Sequence, residues 1–139
     1  DNRFHLDLDI PSEYLDNKVL KLILQPLVEN ALYHGLNYCT TGDTITIHAY
    51  TENNCLMIDV HDNGQGMDIE TLNKLQSSLS EEASFTELGH RNKQSIGLKN
   101  IHSRIELYYG KGYGLTVTSR QSEWTNVQIR LPILKYQED

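Results

Sequence analysis

The chain contains no run of lysines and arginines. Its 12 basic residues are scattered among 19 acidic ones, for a formal charge of −7. Without a basic stripe to neutralise phosphates, that balance argues against a nucleic-acid partner. An apolar run of about 18 residues is also missing, so no segment reads as a membrane-spanning helix and no direct membrane contact is expected. Neither a secretory leader nor an Asn-x-Ser/Thr acceptor occurs. Cysteine is scarce: Cys39 and Cys55 lack CxxC spacing and suit a reduced, cytoplasmic setting. Repeats and low-complexity tracts are absent as well. What remains is 139 residues, enough for one domain that buries roughly two-thirds of its unfolded surface. The sequence opens Asp1-Asn2-Arg3 without an initiator methionine, so we expect a piece of a longer protein whose membrane part lies elsewhere.

The strongest pattern is helical. Leu20, Ile23, Leu24, Leu27, Val28, Ala31 and Leu32 recur at three- and four-residue spacing, a wide apolar stripe on a helix from about Asn17 to Leu36. Pro26 interrupts its hydrogen bonding and implies a kink or local start, and Gly35 favours its exit. Before it, Phe4 to Ile10 alternates as a half-buried strand, and Pro11-Ser12-Glu13 offers a break and a short helical turn. Asn37 to Asp43 is a polar loop. Thr44–Thr51 and Leu56–Val60 alternate around Asn53-Asn54, which predicts a hairpin. Asp68 caps a helix running to Leu79, and Ser80 to Gln94, without periodicity, reads as a mobile loop. Ile96 to Tyr109 is a further amphipathic helix with Ile101, Ile105 and Tyr108 on one face and Leu98 beside it. Tyr113–Arg120 and Trp124–Ile133 form a second hairpin, followed by a polar tail from Lys135. This order predicts an α+β fold: one mixed sheet with helices on one face.

Three polar constellations punctuate this frame. The first is Glu29-Asn30. A neutral amide oxygen suits a magnesium ion that keeps its waters and shares substrate phosphates. Equally, Asn30 beside the apolar stripe caps a buried hydrogen-bond network. Glu29 points about 100° away around the helix and reads as solvated. The second is Asp62-Asn63-Gly64-Gln65-Gly66-Met67, where two glycines let backbone approach a flat ligand. Asp62 is placed to accept a hydrogen bond from an exocyclic amine, and Met67 offers a soft surface to a ring; a plain turn fits the same letters. A calcium loop on Asp59, His61, Asn63, Gly64 and Glu70 is rejected, because His61 replaces a ligand and residues 55–60 read as strand rather than helix. The third is Ser95-Ile96-Gly97-Leu98-Lys99-Asn100, where a helix start with small residues suits a phosphate chain. It matches neither GxxxxGK[ST] nor GxGxxG, and an ordinary helix start capped by Ser95 explains it too. Lys99, Arg91 and Lys93 either reach phosphates or are simply solvated.

In this order, the three segments resemble the ATP-binding domain of sensor histidine kinases, within the superfamily of gyrase, Hsp90, histidine kinase and MutL ATPases. Leu24-Gln25-Pro26-Leu27-Val28-Glu29-Asn30-Ala31 with His34-Gly35 looks like the N box, Asp62 to Met67 like the G1 box, and Ile96 to Ile101 with Arg104-Ile105 like the G2 box. The wording is most similar to the LytS/YesM-like branch, and the resemblance runs from about Arg3 to Pro132. It implies a two-layer α/β sandwich, the Bergerat ATP-binding fold, with a mainly antiparallel sheet and a flexible ATP lid at residues 80–95. By the same resemblance, Asn30 holds Mg²⁺ against the phosphates of ATP and His34 lies near them. Asp62 accepts the adenine amine, Gly64 and Gly66 line the adenine, and Met67 packs near the ring. Ser95, Gly97, Leu98, Lys99 and Asn100 sit where the lid meets the triphosphate.

The implied activity is transfer of the γ-phosphoryl of Mg-ATP to a histidine on a separate dimerisation domain, with a response regulator downstream. The parent would be a homodimer anchored in a bacterial membrane, with its sensor and phosphoacceptor domains absent from this chain. Two departures bear on chemistry. ATPases of the superfamily carry a catalytic Glu four residues before the Asn, where this chain has Pro26, so slow hydrolysis is expected; Glu29 is a secondary candidate for chemistry, on another face. Ser95 stands where the G2 box opens with Gly. The alternatives are a non-enzymatic nucleotide-sensing module and an anti-sigma-type serine kinase of the same fold. No histidine sits in a phosphoacceptor motif, and His5, His48 and His90 read as surface residues.

Overall fold

The computed structural model describes residues 4–11, 18–32, 43–80 and 93–133. Within them run strand β1 (Phe4–Asp9), helix α1 (Lys18–Asn30), the strands β2 (Asp43–Glu52) and β3 (Cys55–Asp62), helix α2 (Ile69–Ser80), helix α3 (Lys93–Tyr109), and the strands β4 (Gly114–Arg120) and β5 (Trp124–Pro132). The five strands make one mixed sheet in the order β1-β2-β3-β5-β4. Only β1 and β2 are parallel, with Leu6 opposite Ile45, and α1 lies between them in the chain, as a parallel pair requires a crossover. All other neighbours are antiparallel. Asn53 and Asn54, at φ 52° and 62°, turn β2 into β3 with both central residues left-handed, which matches the twist of the strands.

Alternation decides the layers. Ile45, Ile47 and Ala49, then Leu56, Ile58 and Val60, then Val127, Ile129 and Leu131, and finally Leu115 and Val117 are all buried. They share one core with Leu27 and Ala31 of α1, Leu72, Leu75 and Leu79 of α2, and Leu98, Ile101 and Ile105 of α3. Each buried leucine, isoleucine or valine contributes about 1.5–3 kcal/mol of hydrophobic burial. The opposite face carries His48, Asp59, His61, Asn126, Gln128 and Arg130. The fold is therefore α+β, a mixed sheet with the helices of the described residues packed on one face, as the sequence pattern predicts.

The α1 stripe packs as expected, with Ile23, Leu24, Val28 and Leu32 partly buried around Leu27. The helix passes through Pro26, and Ala31 and Leu32 continue it as a wider turn just after Asn30. Asp68 does cap α2, its Oδ1 accepting the Thr71 N–H at 2.7 Å. Two details of α3 differ from expectation. It begins at Lys93 rather than Ile96. Its apolar face continues from Ile105 to the half-buried Tyr109, leaving Tyr108 77% exposed. The i+4 step keeps to the stripe over the core, whereas the i+3 step leads off its edge. The short turn expected after Pro11 falls mostly outside the described residues, as do the loop at 37–42, most of the expected lid and the tail.

Candidate functional site

The inner face of the sheet is apolar row after row until its last one. Period-two alternation puts Asp62 on the same side as Leu56, Ile58 and Val60, and it is 4% exposed. The register places Ile45, Asp62, Thr125 and Ser119 side by side across four strands. The preceding row, Ile47, Val60, Val127 and Val117, is wholly apolar. A carboxylate this enclosed needs hydrogen bonds to offset its desolvation, and its Oδ1 accepts the Gly64 N–H at 3.0 Å. The inner layer thus ends in a buried acceptor next to two hydroxyls.

The turn that follows is fastened at both ends. The Asn63 Oδ1 accepts the Thr44 N–H at 2.7 Å, which ties the turn to β2. On the other side, the Gln65 carbonyl accepts the Ser122 N–H at 2.6 Å, and the Met67 N–H donates to the Ser119 Oγ at 2.9 Å. Gly66 adopts φ +64° with its Cα against the Arg120 carbonyl, a position closed to any side chain. Met67 is buried in the core. Glycine at 66 is therefore demanded by this fold as well as by any ligand.

The other two segments reach the same core by single residues. Ala31, next to Asn30, is buried, and so is Leu98. Asn30 itself is half-buried near the end of α1, while Glu29 is exposed and accepts a hydrogen bond from the Gln25 amide at 3.2 Å. The structure therefore separates the two, as helical geometry requires. On α3, Gly97 and Asn100 lie three residues apart on an exposed face, and a β-carbon at Gly97 would meet nothing within 4 Å. Leu98 and Lys99 turn inward, at 0% and 4% exposure. Leu98 is thus core packing, and Lys99 is an enclosed lysine rather than a solvated one. Because α3 already runs at Lys93, Gly97 lies beyond the first turn of its described part. Ser95 stands inside the first turn rather than at the cap. His34 and Arg91 lie outside the described residues.

His102 fixes α3 to β4. Its Nδ1 accepts the Leu115 N–H at 2.9 Å, so the ring proton sits on Nε2, which faces Glu106 at 3.3 Å. Burial pulls the imidazole below its ordinary value, opposed by Glu106 and reinforced by Lys99. Elsewhere His48 pairs with Asp9 at 2.7 Å on the outer sheet face, and His61 stacks on Trp124. Asp59 accepts from Gln128 and Asn126 there, which is strand chemistry and no calcium loop.

An apolar groove of about 160 Å³ runs between α1 and α3, walled by Leu22, Pro26, Ile101, Arg104, Tyr108 and their neighbours. Apart from Arg104 and the two tyrosines its walls are apolar, and it contains neither Glu29 and Asn30 nor any of residues 62–67 and 95–100. Reading the sequence alone missed Ser119 and Thr125. Their signal was weak, two hydroxyl residues at core-facing positions of β4 and β5, and only the register brings them to Asp62.

Residues 15–135 match the family described as histidine kinase-, DNA gyrase B-, and HSP90-like ATPase. The chain is 34% identical over 132 residues to the sensor histidine kinase YesM of Bacillus subtilis (strain 168), covering 95% of this chain and 20% of YesM. It is 28% identical over 133 residues to the sensor protein kinase HptS of Staphylococcus aureus (strain USA300), covering 96% of this chain and 24% of HptS. Its fold superposes on the histidine kinase domain of the Erythrobacter litoralis EL346 blue-light activated histidine kinase with a TM-score of 0.58 at 16% identity, covering 96% of this chain and 56% of that one. The chain spans about a fifth to a quarter of the length of these curated relatives.

Proposed function

We propose, from the premise that this chain belongs to the histidine kinase-, DNA gyrase B-, and HSP90-like ATPase family, that its three polar segments form one Mg-ATP site serving phosphoryl transfer to a protein histidine. As a relative of YesM and HptS it is an ATP-binding catalytic domain of the sensor histidine kinase type. The observation that carries the site is the buried Asp62 at the end of the inner sheet face, with its glycine turn strapped beside it. An enclosed carboxylate is a strong acceptor for the exocyclic amine of adenine. Gly64 and Gly66 bring backbone rather than side chains alongside the base, and Met67 adds polarisable surface.

Asn30 faces the phosphate end, with His34, Ser95, Gly97 and Asn100 completing it; Leu98 and Lys99 contribute from the wall of α3. Among the described residues no group of three or more His, Cys, Asp or Glu side chains is arranged to hold a metal. The single amide oxygen of Asn30 would suit magnesium, which keeps waters and shares phosphate oxygens. Bound there, Mg²⁺ neutralises charge on the triphosphate. The chain's own residues then bind the base, orient the γ-phosphoryl and leave its far side open to an incoming imidazole. Positioning of this kind supplies most of the catalysis in phosphoryl transfer.

The acceptor histidine belongs to a separate dimerisation domain of the parent, a homodimer that passes the phosphoryl to a response regulator. Among the described residues no helix is long and apolar enough to cross a membrane; the parent is membrane-anchored, with this domain on the cytoplasmic side. Calorimetric titration with a non-hydrolysable ATP analogue tests the site. Asp62→Asn weakens binding with or without Mg²⁺, whereas Asn30→Ala removes chiefly the Mg²⁺-dependent part. Unchanged affinity in both variants refutes the assignment. Mg-ATP binding without labelling of the parent's dimerisation domain would instead favour a nucleotide-sensing module.

A further inference from the structure

We infer that Ser119 is a positioning residue for the base-recognition turn, holding residues 63–67 in their binding geometry through its hydroxyl without touching the ligand. The inference rests on the ATP site proposed above. A serine hydroxyl has one proton and two lone pairs, and here all three are committed. The proton goes to the Trp124 carbonyl at 2.8 Å, an atom able only to accept. One lone pair takes the Met67 N–H at 2.9 Å. The other faces the Thr125 hydroxyl at 2.9 Å. Because the Ser119 proton is already given to Trp124, Thr125 must be the donor in that pair.

This junction ties the glycine turn to the β4–β5 hairpin, 52 residues further along the chain. Met67 closes the glycine turn, Trp124 opens β5, and Thr125 stands beside Asp62 in the last row of the sheet. Around it, the Ser122 N–H holds the Gln65 carbonyl, and Gly66 lies against the Arg120 carbonyl. The turn therefore takes its shape from the β4–β5 hairpin as much as from its own residues. Deleting the hydroxyl leaves the Met67 N–H, the Thr125 proton and the Trp124 carbonyl to find other partners. The turn loosens, and ordering it again falls to the nucleotide, which lowers affinity for the base end of the ligand.

Amide exchange and calorimetry on the whole chain test this, with ATP analogue as the probe. In the unsubstituted chain the Met67 amide is protected. An exchange rate like that of an open loop overturns the inference without any variant. Ser119→Ala exposes the Met67 amide and weakens ATP-analogue binding by about fivefold to tenfold, the worth of roughly one net hydrogen bond. The weakening is equal with and without Mg²⁺, and Ser119→Thr, which keeps the hydroxyl, restores both readouts. A Ser119→Ala variant that binds within about twofold of the parent, or loses only the Mg²⁺-dependent part, overturns the inference. Asp62→Asn run in parallel separates the two levels: if it too binds normally, the site assignment fails, and if it alone weakens binding, only the role of Ser119 falls.

Discussion

The Cα of Gly66 packs so closely on the carbonyl of Arg120 that a β-carbon there would overlap the oxygen. The glycine turn after β3 and the hairpin turn between β4 and β5 are thus in backbone contact, although more than fifty residues separate them in the sequence. A glycine that a reader would assign to ligand approach is first required by the fold.

Gly66→Ala is accordingly expected to destabilise as well as to impair binding. The left-handed φ of +64° alone costs a residue with a β-carbon about 1–2 kcal/mol, and the neighbouring carbonyl is backbone that cannot swing aside. The melting temperature falls and nucleotide affinity falls with it. A variant as stable as the parent by thermal unfolding contradicts the packing described.

Gly97→Ala is expected to behave in the opposite way. The position is helical and open, so alanine stabilises the helix by about 0.5–1 kcal/mol. Nucleotide affinity nevertheless drops if phosphates approach α3 at this point. Melting and calorimetry on one variant then separate fold from site: higher stability with weaker binding marks Gly97 as a ligand-facing glycine, and unchanged binding removes it from the site.

Hydrolysis of ATP by the isolated chain is expected to run far below the ~1 s⁻¹ at the low end of ordinary enzymes. By the family resemblance Pro26 stands where a water-activating carboxylate is expected, and Glu29 is exposed and engaged with Gln25. A coupled phosphate-release assay decides. Steady turnover at the rate of an Hsp90-type ATPase or faster would sink the expectation of slow hydrolysis.

Acid is expected to weaken the α3–β4 contact through His102. Its folded value lies below the ordinary 6.5, chiefly because of burial. Above that ordinary value both folded and unfolded chains hold the ring neutral, and stability is complete. As pH falls below it, the unfolded chain binds a proton that the folded one refuses, so stability drops until the lowered folded value is passed. His102→Asn offers an oxygen to the Leu115 N–H without titrating. Melting curves between about pH 7 and pH 5 should fall less for His102→Asn than for the parent; parallel curves exclude the histidine as the cause.

Much of this protein was legible in its residue order. The periods of Ile23 to Leu32 and of Ile45 to Val60 fixed helix and strands, Asn53-Asn54 fixed a hairpin, and Asp68 capped its helix. These are local matters, in which spacing alone selects the buried face. The three polar segments and their family resemblance came from the same reading, with Asn30, Asp62 and Gly66 already named. Sequence also misjudged one side chain: Tyr108 looked buried, and it is exposed. Whether a stripe's edge is covered depends on the neighbouring helices, which no local period encodes.

The tertiary structure alone decided that Asp62 stands in a row with Thr125 and Ser119, and that Gly66 rests on Arg120. Strand pairing brings distant residues within hydrogen-bond reach, and a register is a property of two strands together. Residue order determined which groups this chain has for holding a nucleotide; the pairing of β3, β5 and β4 determined where they stand.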